Sequence, residues 1–163
     1  MVNNTFAEKC VSFEQAKNLK EIGFDEPVLM KYIEDESGSI YQTMLTESPE
    51  DYKVDLAKWM DTGLNSVPVY AMAKKVNNNP NDKVFAAPTY EAVIEWTERE
   101  FGFRMGVSPD VMRPNTYTWI ALYNRTDSGS GMGLSTKREA YDRLISRVIS
   151  YIKDNSIDSP SIT

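Results

Sequence analysis

A chain of 163 residues, 41% hydrophobic and 26% charged, has a globular composition and enough length to bury a core without a metal or a disulfide. Its 24 acidic against 18 basic residues give a formal charge of −6, a poor balance for a duplex-DNA binder, whose affinity comes largely from neutralising phosphates. Histidine is absent, which removes the commonest general base and a usual zinc ligand, and the single cysteine, Cys10, excludes an intrachain disulfide.

The opening Met1-Val-Asn-Asn-Thr-Phe6 has neither the basic nor the apolar region of a secretory leader. No stretch approaches the roughly 18–20 apolar residues that span a bilayer. With one cysteine, the expectation is a cytoplasmic protein with no membrane partner.

In chain order, the first signal is Ser12 followed by Gln15, a capping-box pattern that predicts a helix carrying Phe13, Ala16, Leu19 and Ile22 on one face. Gly23-Phe24 predicts a Schellman-type stop, and Pro27 confirms the break. Val28 to Ile33 and Ile40 to Leu45 read as two strands around a polar hairpin loop, Glu34 to Ser39. Ser48-Pro49-Glu50-Asp51 then predicts a second helix, with Tyr52, Leu56, Trp59 and Met60 as its buried stripe and Gly63 as its end.

Residues 64–88 give no clear reading. Val67 to Ala73 suits a strand or a short helix, Asn77 to Asp82 is a turn cluster, and Val84 to Ala87 is a short apolar run. Thr89 is expected to cap a helix with Tyr90, Val93, Ile94, Thr97 and Phe101 on one face and Trp96 at its edge, stopped by Gly102-Phe103. Phe103 to Val107 and Thr116 to Tyr123 read as strands separated by a loop with Pro109 and Pro114, and Asp127 to Gly133 as a glycine–serine loop. Thr136 with Glu139 predicts a second capping box, opening a helix whose stripe is Ala140, Tyr141, Leu144, Ile145, Val148, Ile149 and Ile152.

The order is α-β-β-α, an unclear stretch, then α-β-β-α. This predicts an α+β fold with a small antiparallel sheet and helices packed mainly on one face. It is read as a single domain over residues 1–155 with a mobile polar tail at 156–163. The helix–Gly–Phe–strand–strand unit occurs twice, which hints at a weak internal repeat.

Candidate chemistry is sparse. The loop Gly129 to Lys137 stands where a phosphate cradle would, but its glycine spacing and Ser135-Thr136-Lys137 order miss the phosphate-binding patterns, so we read residues 127–134 as a connector. Glu91, Glu95 and Glu98 share a helical face, yet carboxylate metal sites on bundles also use histidine, so a solvated face is the simpler reading. Asp25, Glu26, Glu34, Asp35 and Glu36 concentrate acid at the first hairpin without the alternating ligands of a calcium loop. Cys10 lacks a base to activate it. No cofactor, metal or catalytic set is expected.

Tyr117, Trp119 and Tyr123 alternate on one strand, as base-stacking residues do, and Arg138, Arg143 and Arg147 follow on the last helix. Packing under a helix demands the same alternation, and we favour it. Single-stranded nucleic-acid contact by these six residues is the alternative.

Three segments carry a resemblance: Val11 to Pro27, with its Gly-Phe-Asp-Glu-Pro ending; Ala87 to Trp96, opening Ala-Pro-Thr; and Thr136 to Ile145. Together, about a third of the chain, they resemble uncharacterised small proteins encoded by gut Bacteroidales bacteria and their phages or prophages. This chain departs in its longer middle, residues 46–83, and its glycine loop near 130. The resemblance implies a phage or prophage origin in a bacterial host cell and transfers no catalytic residue. The resulting expectation is a non-enzymatic accessory protein that binds another protein or itself; a small enzyme of unassigned chemistry is the third reading.

Overall fold

The structure is a computed structural model that describes residues 6–44, 74–78 and 80–157. The helix expected after Ser48 and the Val67 to Ala73 segment lie outside the described residues. Those described form an α+β protein with three α-helices and three small antiparallel sheets. Three separate sheets replace the one expected. The chain divides into two compact units, Met1–Thr89 and Tyr90–Thr163.

The first unit opens with a 3-10 turn, Phe6–Lys9, and helix α1, Phe13–Glu21. The capping box is complete: the Gln15 amide donates to Ser12 Oγ at 3.2 Å, and the Ser12 amide donates to Gln15 Oε1 at 3.0 Å. Gly23 takes φ 93°, and the amides of Gly23 and Phe24 donate to the carbonyls of Lys20 and Leu19. That is the Schellman stop, and it turns Phe24 into the core beside Leu19 and Ala16.

The expected strand Val28 to Ile33 is split at Leu29. Strand β1, Pro27–Val28, pairs with β4, Lys74–Lys75, whereas β2, Met30–Glu34, lies between β3, Ile40–Met44, and β5, Val84–Ala86. The run breaks because its two halves serve different sheets. Part of the unclear stretch therefore supplies strands. Asn77, read only as a turn residue, ties the unit together: its Nδ2 donates to the Phe24 carbonyl and its Oδ1 accepts from the Ala86 amide, both at 2.8 Å. Phe13 meets Tyr32 and Phe85 edge-on, with centroids 5.6 and 5.5 Å away.

The second unit begins with α2, Tyr90–Phe101. Trp96 is buried within it, not at its edge, and meets Phe101 edge-on. Gly102, at φ 78°, donates its amide to the Glu98 carbonyl and ends the helix by the simpler left-handed stop. A meander follows: β6, Phe103–Pro109; β7, Tyr117–Tyr123; and β8, Thr126–Leu134.

Strand β8 overturns the expected loop at Asp127 to Gly133. Its turn from β7 is the two-residue Asn124-Arg125, both at positive φ, which is the hairpin geometry that suits the twist of paired strands. The glycines serve close packing. A Cβ on Gly131 would collide with the Trp119 indole, and one on Gly129 would lie 2.6 Å from Arg147 Cγ. These side chains lie across the strand, and glycine makes the room.

Helix α3, Lys137–Asp154, covers one face of this meander. Six of its seven expected stripe residues are buried, and Tyr141 is half-buried, stacked on Tyr90. The second capping box is only half made. Glu139 donates its amide to Thr136 Oγ1 at 3.0 Å, but its carboxylate accepts from Ser135 Oγ instead. Ser156, at φ 50°, and Ile157 close a Schellman stop on Lys153 and Ile152, so the first residues of the expected mobile tail belong to the helix end.

Candidate functional site

On β7, residues 117, 119, 121 and 123 share one face, while 118, 120 and 122 share the other. Trp119 is buried, 9% exposed, on the face that α3 covers. Tyr123 lies against Phe103 and Tyr151, with centroids 5.0 and 5.7 Å apart, and Tyr117 is half-buried. The strand thus brings its aromatics together as interior filler. It leaves no open row of rings on which bases could stack.

The arginines divide in the same way. Arg147 lays its stem over Gly129, donates Nε to the Ser128 carbonyl at 2.7 Å and places its guanidinium over Tyr151. It clamps β8 onto the helix. Arg143 makes an exposed ion pair with Glu139 at 3.7 Å, and Arg138 is exposed. Of the six, Trp119 is interior and Arg147 is engaged with Ser128 and Tyr151, which leaves Arg138 and Arg143 as the arginines not bound to the sheet.

The remaining candidates separate too. Cys10 is buried, and burial pushes its thiol up to about 12, so it stays protonated and unreactive at neutral pH. Glu91, Glu95 and Glu98 are exposed on α2. Among the described residues, no three acidic or cysteine side chains gather where they could hold a metal ion. Asp35, from the acidic hairpin, clasps its own loop: Oδ1 accepts from the amides of Ser37 and Ser39 at 2.9 Å and from Ser37 Oγ at 2.6 Å. The Ser37 hydroxyl foremost, with the backbone amides, holds this carboxyl below the ordinary aspartate range.

What stands out lies where sequence reading placed only a loop. The β6–β7 connection, residues 110–116, carries Val111 at 95% and Met112 at 84% exposure. Met132 and Ile120, in the same unit, are exposed as well. The loop is well tied: the Asp110 amide donates to the Thr116 carbonyl at 2.9 Å, the Met112 amide to Asp110 Oδ1 at 2.9 Å, and Thr116 Oγ1 to the Arg113 carbonyl at 2.8 Å. Asn115 supplies the left-handed residue, φ 60°, that closes it. The adjacent Val-Met pair amid turn residues was its only sequence signal.

Comparison with protein-family models, curated proteins and solved structures gives no match. Among the described residues no helix is long and apolar enough to cross a membrane.

Proposed function

We propose that this chain is a phage or prophage accessory protein of the bacterial cytoplasm that works by binding another protein or a second copy of itself, without catalysis. The resemblance of its three segments supports the origin. The observation that carries the mode of action is the pair Val111 and Met112, held almost fully in water by an ordered loop. Ordered apolar side chains left in solvent forgo the free energy of burial, which a partner recovers by covering them. Of the exposed large apolar side chains described in the second unit this pair is the most exposed, ahead of Met132 at 67% and Ile120 at 47%.

The nucleic-acid alternative is less well supported, because Trp119 is interior and Arg147 is engaged with Ser128 and Tyr151. A tagged chain recovered from its native cells, with and without nuclease, separates the readings. Stoichiometric protein that survives nuclease, or a concentration-dependent mass by light scattering, is expected. Recovery of nucleic acid alone, lost on nuclease treatment, or a monomer that retains nothing, overturns the proposal.

A further inference from the structure

Resting on the protein-binding reading, we infer that the bare face of the β6–β7–β8 sheet docks a second copy of this chain, two sheets meeting face to face about a two-fold axis parallel to β7.

The register lays that face out. Arg104, Leu122 and Asp127 form one row across the three strands, and Gly106, Ile120 and Ser130 form the next. Both helices of the unit lie on the other side. There α3 covers Trp119, and Thr97 Oγ1 of α2 stands 3.8 Å from Sδ of Met105, which shares the Trp119 face. The bare face is apolar along its middle, where Ile120 is 47% exposed, and polar at its edges. An apolar centre inside a polar rim is how interfaces are built.

Charge selects the occupant. Arg104 stands on one edge and Asp127 on the other; both are exposed, and neither makes an ion pair with a described residue. A two-fold axis along β7 carries β6 of one copy over β8 of the other. Arg104 then faces Asp127 twice, while Ile120 and Leu122 meet their own copies on the axis. A positive edge, an apolar middle and a negative edge are thus their own complement, as an isologous contact requires.

Gly106 points to the same occupant. Its φ lies outside the left-handed region and a Cβ on it would meet nothing within 4 Å, so no described part of its own chain calls for glycine. Glycine within a strand weakens it and marks places where another chain comes close. Here it leaves a hollow beside Ile120, and the exposed, flexible Met132 of the second copy is brought over β6 to fill it. Strands of seven residues, three abreast, cover about 14 by 23 Å. That is well under the roughly 800 Å² per partner of a standard complex, so the dimer is weak and fills as concentration rises.

Sedimentation equilibrium of the full chain, from low to high micromolar, is the test. Wild type should rise toward twice the monomer mass. G106V and R104E should each raise the dimer dissociation constant at least about fivefold. G106V should unfold no earlier than wild type, because valine favours a strand and its Cβ has open space. R104E sets like charges opposite each other at both pairs, and so does D127K. Mixed, the two variants restore opposite charges at both, so the mixture should associate where neither does alone. D127K also removes the bond from the Gly129 amide to Asp127 Oδ1. If that variant unfolds early, G106V and R104E decide, since neither touches a side-chain hydrogen bond.

Wild type that associates together with variants that associate equally well overturns the sheet-face contact and leaves self-association standing. A mixture of folded R104E and D127K that stays monomeric overturns it too. Wild type monomeric throughout overturns the dimer; the protein-binding reading then survives if the tagged chain still retains a nuclease-resistant protein, and falls with the dimer if it retains nothing.

Discussion

The two hairpin tips of this protein solve one backbone problem and present opposite surfaces. At the β2–β3 tip, Asp35 Oδ1 gathers the amides of Ser37 and Ser39; at the β6–β7 tip, Asp110 Oδ1 takes the amide of Met112. Each loop also has a left-handed residue, Gly38 in the first and Asn115 in the second. Around these similar clasps the first tip exposes Glu36, Ser37 and Ser39, and the second exposes Val111 and Met112. Closing a hairpin therefore does not require apolar tip residues. Their presence on one tip alone needs another cause, and the proposed contact with a partner would supply it.

The largest expected effect comes from undermining the sheet on which the apolar tip stands. Gly131→Val drives a branched side chain into the Trp119 indole on a strand that has no free space there. Overpacking of this kind costs about 2 kcal/mol, read as a lowered urea midpoint with an unchanged slope. Loss of tip-dependent binding in this variant would accompany lost stability, unlike a tip substitution. An unchanged midpoint would mean that the indole moves aside at no cost.

Next in size is the acidic tip. Gly38 sits at φ 84°, and a Cβ there meets nothing within 4 Å, so Gly38→Ala isolates the backbone cost at about 1 kcal/mol. Gly38→Asn should cost less, because asparagine tolerates the left-handed region that Asn115 already occupies in the other tip. Equal losses for alanine and asparagine would count against that equivalence.

Much of the fold was legible because local chemistry and tertiary packing agree. Ser12-x-x-Gln15, Gly23-Phe24 and the α3 stripe each had one physical reading, and each is present. The misses share a cause of another kind. Gly129 and Gly131 looked like loop residues because the reason for them, the Trp119 ring and the Arg147 stem, comes from elsewhere in the chain. The Asn124-Arg125 turn lacks the glycine that marks such turns, so β8 went unseen. Leu29 gave no sign that Val28 and Met30 would join different sheets. The candidate site was the least legible part, since Val111 and Met112 differ from core residues only in exposure.

Smaller still is a pH effect confined to the first tip. Asp35 has its carboxyl pKa depressed in the folded chain by the Ser37 hydroxyl and the amides it binds. A depressed folded value means that the clasp contributes fully above the unfolded aspartate range and is lost as pH falls through the folded value. The wild-type urea midpoint should therefore drop more steeply than that of Asp35→Asn as the solution is acidified. Parallel curves would show that the loop is closed by its backbone hydrogen bonds alone.

The smallest expected stability change is the one that decides what the second tip is for. Val111 and Met112 are 95% and 84% exposed, so V111S/M112S removes almost no buried surface and leaves the Asp110–Met112 amide bond, made by the backbone, in place. Stability should stay within about 0.5 kcal/mol of wild type, as for surface substitutions remote from caps and clasps. If the variant is instead destabilised by a kilocalorie or more, the pair is packing within its own chain and the exposed tip is not a docking element. If stability holds and partner affinity collapses, the two hairpins are built by one set of rules, and the apolar pair on the second answers to a surface outside this chain.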